Sequence, residues 1–142
     1  MATTRETQEY VVLLHGDETT WLTADDAARA RAYEEHGEFS RLCEAHGHRV
    51  TGGAELAPSS TSRVVRRGDD GAPVLSEGPY AETVEQLGGY YVIETADVED
   101  LARLVVLVIG SGAAEIRPVV PAPTSDATDH ATPEGPTSGD VA

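Results

Sequence analysis

What most constrains this chain is an ordered alternation, between residues 10 and 120, of short β-prone runs with two stretches of helical period. Residues 10–14, YVVLL, are apolar and β-branched, the composition of a buried strand. The stretch 23–47 opens with Thr23 as an N-cap and with Asp25 and Asp26 in its first turn. It then sets Ala28, Ala32, His36, Phe39 and Cys43 at helical spacing and stops at Gly47. A histidine is therefore in phase with the apolar face. Residues 48–51 read as a strand cut by Gly52-Gly53, and 61–67 with 72–76 read as a hairpin around Gly68-Asp69-Asp70-Gly71. GYYVIE at 89–94 is another strand. Asp97 caps a second helix with Leu101, Leu104, Val105 and Val108 on one face, and the strand 114–120 carries Pro118, which suits an edge or a strand end. Strand, helix, strand, then strand, helix, strand, with one extra hairpin, is the α+β ferredoxin-like plan.

Composition sets the limits. With 142 residues, 39% of them hydrophobic, the chain supports one core of moderate size. Residues 121–142 are rich in Pro, Thr, Ser, Asp and Gly and hold four acids with no Lys or Arg, so a disordered acidic C-terminal tail is expected, with residues 1–9 a flexible N-terminus. The formal charge of −15 stays at −11 without that tail. Such a surface repels phosphate backbones and anionic lipid, which excludes nucleic acid and membrane as direct partners. No apolar run reaches signal-peptide or membrane-span length, and Cys43 is the single cysteine, so a cytoplasmic protein without disulfides is expected. Cys43 itself reads as a small buried apolar residue.

Residues 76–91, SEGPYAETVEQLGGYY, resemble the signature Asp-Gly-Pro-Phe-Ala-Glu followed by Lys-Glu-x-Leu-Gly-Gly-Tyr-Tyr of the DGPF branch of the YCII-related proteins. The resemblance extends over residues 10–120: YVVLLHGDETTW is similar to the family's opening strand and turn, VTGGAELAPSSTSRVVR to its Gly-Gly-Glu-x-Leu segment, and EIRPV to its closing strand. It implies a dimeric α+β barrel, hence a homodimer, with pockets between sheet and helices. Glu77 stands in place of Asp and Tyr80 in place of Phe, His15 stands where the family often has Tyr, and Val84 where a basic residue is frequent. In the wider group a helix histidine pairs with an aspartate, and His36 falls at that histidine. The aspartate belongs near the end of the second helix, where VVLVIGSG offers no acid.

Candidate chemistry centres on His36, because a core-facing imidazole needs a partner and can move protons near neutral pH. A satisfied structural histidine is the competing reading. His15 and Glu77 join it as catalytic candidates that orient His36 or hold substrate, and Asp17, Tyr80 and Tyr90 as substrate-binding candidates. Tyr90 and Tyr91 are neighbours on a strand, so one faces the core or a partner and the other a cavity. His15 and His36 with Asp17 or Glu77 make a scattered ligand set, so no metal is expected, and no cofactor either. His46-Gly47-His48 could serve as a ligand pair, but the favoured reading is a polar helix end, with Gly47 as C-cap and both rings able to sit in solvent. Gly78-Pro79 and Gly88-Gly89 shape a loop, and Glu82 and Glu85 could share a helical face. No phosphate loop, nucleophile elbow or Cys-x-x-Cys occurs. The expected function is binding of a small molecule, with cofactor-independent acid–base chemistry of isomerase or lyase type on a carbonyl or aromatic metabolite. The alternative is a non-catalytic accessory or regulatory protein associated with an extracytoplasmic-function sigma factor, which the resemblance implies.

Overall fold

The computed structural model describes residues 6–123; the proposed tail from 124 on and the first five residues lie outside the described residues. In chain order the elements are β1 (Gln8–Asp17), α1 (Glu18–Leu22), α2 (Asp26–Ala45), β2 (Arg49–Glu55), β3 (Arg63–Arg67), β4 (Pro73–Glu77), β5 (Glu85–Thr95), α3 (Val98–Val105) and β6 (Ala113–Pro118). β2, β5, β1 and β6 form, in that order, an antiparallel sheet, and β3 with β4 makes a separate hairpin. Without the hairpin this is the strand order of the ferredoxin-like plan, compatible with a YCII-type fold. Pro118 closes β6 at the sheet edge, where its missing N–H breaks no ladder.

Local chemistry decides the boundaries. α2 starts after Asp25, whose carboxylate accepts from the Ala28 N–H at 2.7 Å; Thr23, the expected cap, instead closes the short helix α1. At the other end His48 N–H reaches back to the Cys43 carbonyl (2.8 Å) and Gly47 N–H to that of Glu44 (3.2 Å), with Gly47 at φ +83°. That double bond is a Schellman ending, which needs the left-handed residue a glycine supplies. The Gly52-Gly53 pair does not break β2 but bulges it between Val50 and Gly52. Gly53 sits at φ +154°, and a Cβ there would meet the Tyr90 carbonyl oxygen at 2.7 Å. β5 begins at Glu85 rather than 89, so Glu82 and Glu85 share no helical face.

Alternation along the strands sorts the two faces of the sheet. Val12 and Ile93 face the helices and close the core with Phe39 and Cys43 of α2 and Leu101 and Val105 of α3. Leu14, Tyr91, Ala114 and Ile116 pack around it. The opposite face carries Val11 beside Val92 and Leu13 beside Tyr90, all partly exposed. Among the described residues no helix is long and apolar enough to cross a membrane.

Candidate functional site

The two halves of α2 differ in what they place against the sheet. The C-terminal half of α2 places Phe39 and Cys43 on the sheet, both fully buried, whereas the N-terminal half offers Ala28 and Ala32. Small side chains there cannot reach the sheet, and a cavity of about 880 Å³ remains between α1, α2 and the sheet end. That volume suits a drug-sized or smaller guest.

His36 stands at the junction of the two halves and lines this cavity. Its Nδ1 lies 2.6 Å from the hydroxyl of Tyr91, which is delivered from the helix-facing side of β5 and packs on Phe39 at 5.1 Å between ring centroids. Nε2 has no hydrogen-bond partner among the described residues. Burial lowers the pKa of His36 against the raising influence of Glu35 and Glu55, so the ring favours its neutral form near pH 7. Burial likewise raises the pKa of Tyr91, with a smaller contribution from Cys43, and the phenol stays protonated. A neutral imidazole held by one nitrogen and free at the other can accept or donate a proton at a guest molecule.

The rim is aromatic and charged. Trp21 of α1 meets Tyr33 of α2 edge to face at 5.6 Å, and the Arg29 guanidinium lies 5.3 Å from the centre of the Trp21 ring. Arg29 donates from Nη2 to the carbonyl of Trp21 (3.2 Å), while its buried Nε has no hydrogen-bond partner among the described residues. Tyr33 donates to Glu55 of β2 (3.1 Å), and Glu18 ties α1 to the following loop by accepting from the N–H and hydroxyl of Ser59 (2.5 and 2.6 Å).

The structure brings together only part of the expected set. His36 and Asp17 both line the cavity, Asp17 as the N-cap of α1, where hydrogen bonds from the hydroxyl and N–H of Thr19 lower its pKa. His15 borders the cavity, yet its imidazole is directed to Glu115 (4.0 Å), whose register partner Leu13 belongs to the opposite face. The bulge between Leu14 and His15 lies at that point. Tyr90 contributes to the cavity wall, but its pairing with Leu13 sets its ring on the same outer face, and Tyr91 is the tyrosine that meets His36. Glu77 and Tyr80 do not line the cavity. They belong to the separate hairpin and the loop after it, where Tyr80 is 81% exposed beside Arg66. Gly78 fits that loop because a Cβ would collide with Ser62.

Sequence reasoning passed over Arg29, Tyr33 and Glu55. A signal was present in the first two: Arg29, Tyr33 and His36 are spaced by four and then three, one face of a helix. Glu55 joins them only through the β2 bulge, which no local pattern announces.

A second histidine site forms at the end of α2, where the favoured expectation was a polar helix end. His48 is 2% exposed, with Nδ1 2.7 Å from the Thr95 hydroxyl and Nε2 2.7 Å from Asp100 Oδ2. His46 Nδ1 approaches that same oxygen at 2.8 Å. The two histidines therefore do not both sit in solvent, because the Schellman turn folds the chain back onto α3.

The model of the YCII-related domain matches residues 9–122 of this chain. An uncharacterized protein, R00369, from Rhizobium meliloti (strain 1021) is 30% identical over 124 residues, covering 78% of this chain and 90% of that protein.

Proposed function

The chain belongs to the YCII-related family, and we propose that it is a small-molecule-binding member, of the DGPF branch, that performs cofactor-independent acid–base chemistry of isomerase or lyase type on a small carbonyl or aromatic metabolite. One observation carries this reading: the imidazole of His36, held by Tyr91 at Nδ1 and with no partner at Nε2 among the described residues, lines a cavity of about 880 Å³. His36 takes a proton from a carbon next to a carbonyl and returns it one position away. Tyr91 fixes the ring by its hydrogen bond at Nδ1, and the imidazolium formed when Nε2 takes the proton becomes neutral again when it returns it. Arg29 polarises the carbonyl or holds a carboxylate, since its Nη1 keeps donors to spare. Trp21 and Tyr33 offer aromatic surface to a flat guest. Two copies associate through the outer sheet face, burying Val11, Leu13, Tyr90 and Val92 in a homodimer.

The test is a panel of small keto acids and aromatic acids screened for binding and for solvent deuterium exchange into the ligand. The wild type binds a member and exchanges its proton, Tyr91→Phe slows exchange, and His36→Gln binds without exchange. Binding with no exchange in any form would instead favour the second reading, an accessory protein associated with an extracytoplasmic-function sigma factor. The observation in favour of that reading is that no carboxylate is hydrogen-bonded to His36 among the described residues.

A further inference from the structure

We infer that His46, His48 and Asp100 form a binding site for one divalent transition-metal ion, Zn²⁺ foremost, at the junction of α2 with α3. Two imidazole nitrogens converge on a single carboxylate oxygen, and the three donor atoms all lie within 4.8 Å of one another. Bonds to Zn²⁺ are roughly 2.0–2.2 Å long, which puts ligand atoms about 3.3 Å apart, so the present spacings of 2.7 and 2.8 Å need only a small opening. Two nitrogens and one oxygen are the donor chemistry that zinc takes in sites that keep a position open for water.

The backbone already aims the ligands. His46 is the C-cap of α2 and His48 lies two residues on, with Gly47 at φ +83° turning the chain between them. Asp100 comes from the first turn of α3, where Asp97 accepts from its N–H at 3.1 Å. The rings of His46 and His48 stand 6.1 Å apart at 34°.

An outer shell is present as well. A carboxylate only accepts, so without an ion His46 Nδ1 and His48 Nε2 both carry hydrogens toward Asp100. When an ion binds, each imidazole shifts its hydrogen to its other nitrogen, and no net proton leaves a neutral ring. For His48 that nitrogen is Nδ1, 2.7 Å from Thr95 Oγ1. This hydroxyl oxygen already accepts from the Asp97 N–H at 2.9 Å and has a second lone pair for the ring, as the outer shell of a ligating histidine requires. Arg103 stands 4.0 Å from Asp100 Oδ1, leaving Oδ2 to the histidines. The Cys43 thiol, fully buried in the core, is not one of the three converging donors. His46 and Asp100 are partly exposed, which gives the ion a way in, and a cavity of about 340 Å³ beside His48 carries Glu44.

The test uses the full chain, stripped with chelator and titrated with Zn²⁺ by calorimetry and with Co²⁺ by visible absorption. One equivalent of each is expected to bind, Co²⁺ with the intense ligand-field bands of a four- or five-coordinate site, and Zn²⁺ is expected to raise the melting temperature. His46→Gln, at a half-exposed position that spares the core, and Asp100→Asn are each expected to weaken binding at least tenfold and to abolish the Zn²⁺-dependent shift. His36→Gln and His130→Gln are expected to bind as the wild type does. No binding by the wild type at 1:1, or binding undiminished in His46→Gln, overturns the site. Loss of binding in His130→Gln alone overturns it too, by locating the ion in the C-terminal stretch.

Discussion

His36 and His48 come from the same helix and its immediate continuation, and both face the space between α2 and its neighbours, yet their situations are opposite. His48 is sealed, with both nitrogens within 2.7 Å of a partner, and it ties the end of α2 to β5 and α3. His36 has Nδ1 tied to Tyr91 and no partner at Nε2 among the described residues, and it lines a cavity. What separates them is the volume of the side chains alongside. Thr95, Asp100 and His46 crowd the His48 ring, while the small Ala28 and Ala32 leave open space near His36. A ring with both nitrogens engaged ties elements of the fold together, and a ring with one nitrogen unengaged beside a hollow is open to a guest.

This contrast is broken most forcefully at the filled end. Phe39→Ala empties the core and is expected to cost about 3–5 kcal/mol in chemical denaturation. His48→Ala follows at about 1–3 kcal/mol, because Asp100 and Thr95 lose a buried partner; the same denaturation curve reports it. Tyr91→Phe deletes one hydrogen bond beside the cavity and is expected to cost only about 1 kcal/mol. Ala32→Leu sharpens the comparison from the other side: it fills empty space, is expected to change stability by less than about 1 kcal/mol, and abolishes binding of any guest in the large cavity.

Much of the scaffold was legible because its signals are local. The β-branched run at 10–14, the Asp97 cap, the hairpin around 68–71 and Pro118 at the sheet edge each appear where their chemistry placed them. The inward phase of His36 was legible too, since helical spacing with Ala32, Phe39 and Cys43 fixes a face. The remainder depended on register and volume. Which of Tyr90 and Tyr91 meets His36 is set by pairing with β1, Leu13 opposite Tyr90 and Val12 opposite Tyr91, and no window of sequence contains both strands. Glu77 and Tyr80 sit in the most distinctive motif of the chain, but the hairpin carries them away from the cavity. The pairing of His48 with Asp100 spans 52 residues and depends on the turn at Gly47.

The depressed pKa of His36 also has a sign in stability. The unfolded chain, with an ordinary imidazole near 6.5, takes up the proton first as the pH falls. The stability associated with the neutral buried ring is therefore complete above about pH 6.5 and is lost as the pH falls through the folded value. An NMR titration of the His36 ring nitrogens tests the central claim most directly. The account predicts a midpoint below 6.5, together with an Nε2 signal that moves when a small guest enters the cavity while Nδ1 keeps its bond to Tyr91. A midpoint at or above 6.5, with an Nε2 indifferent to every guest, would contradict it.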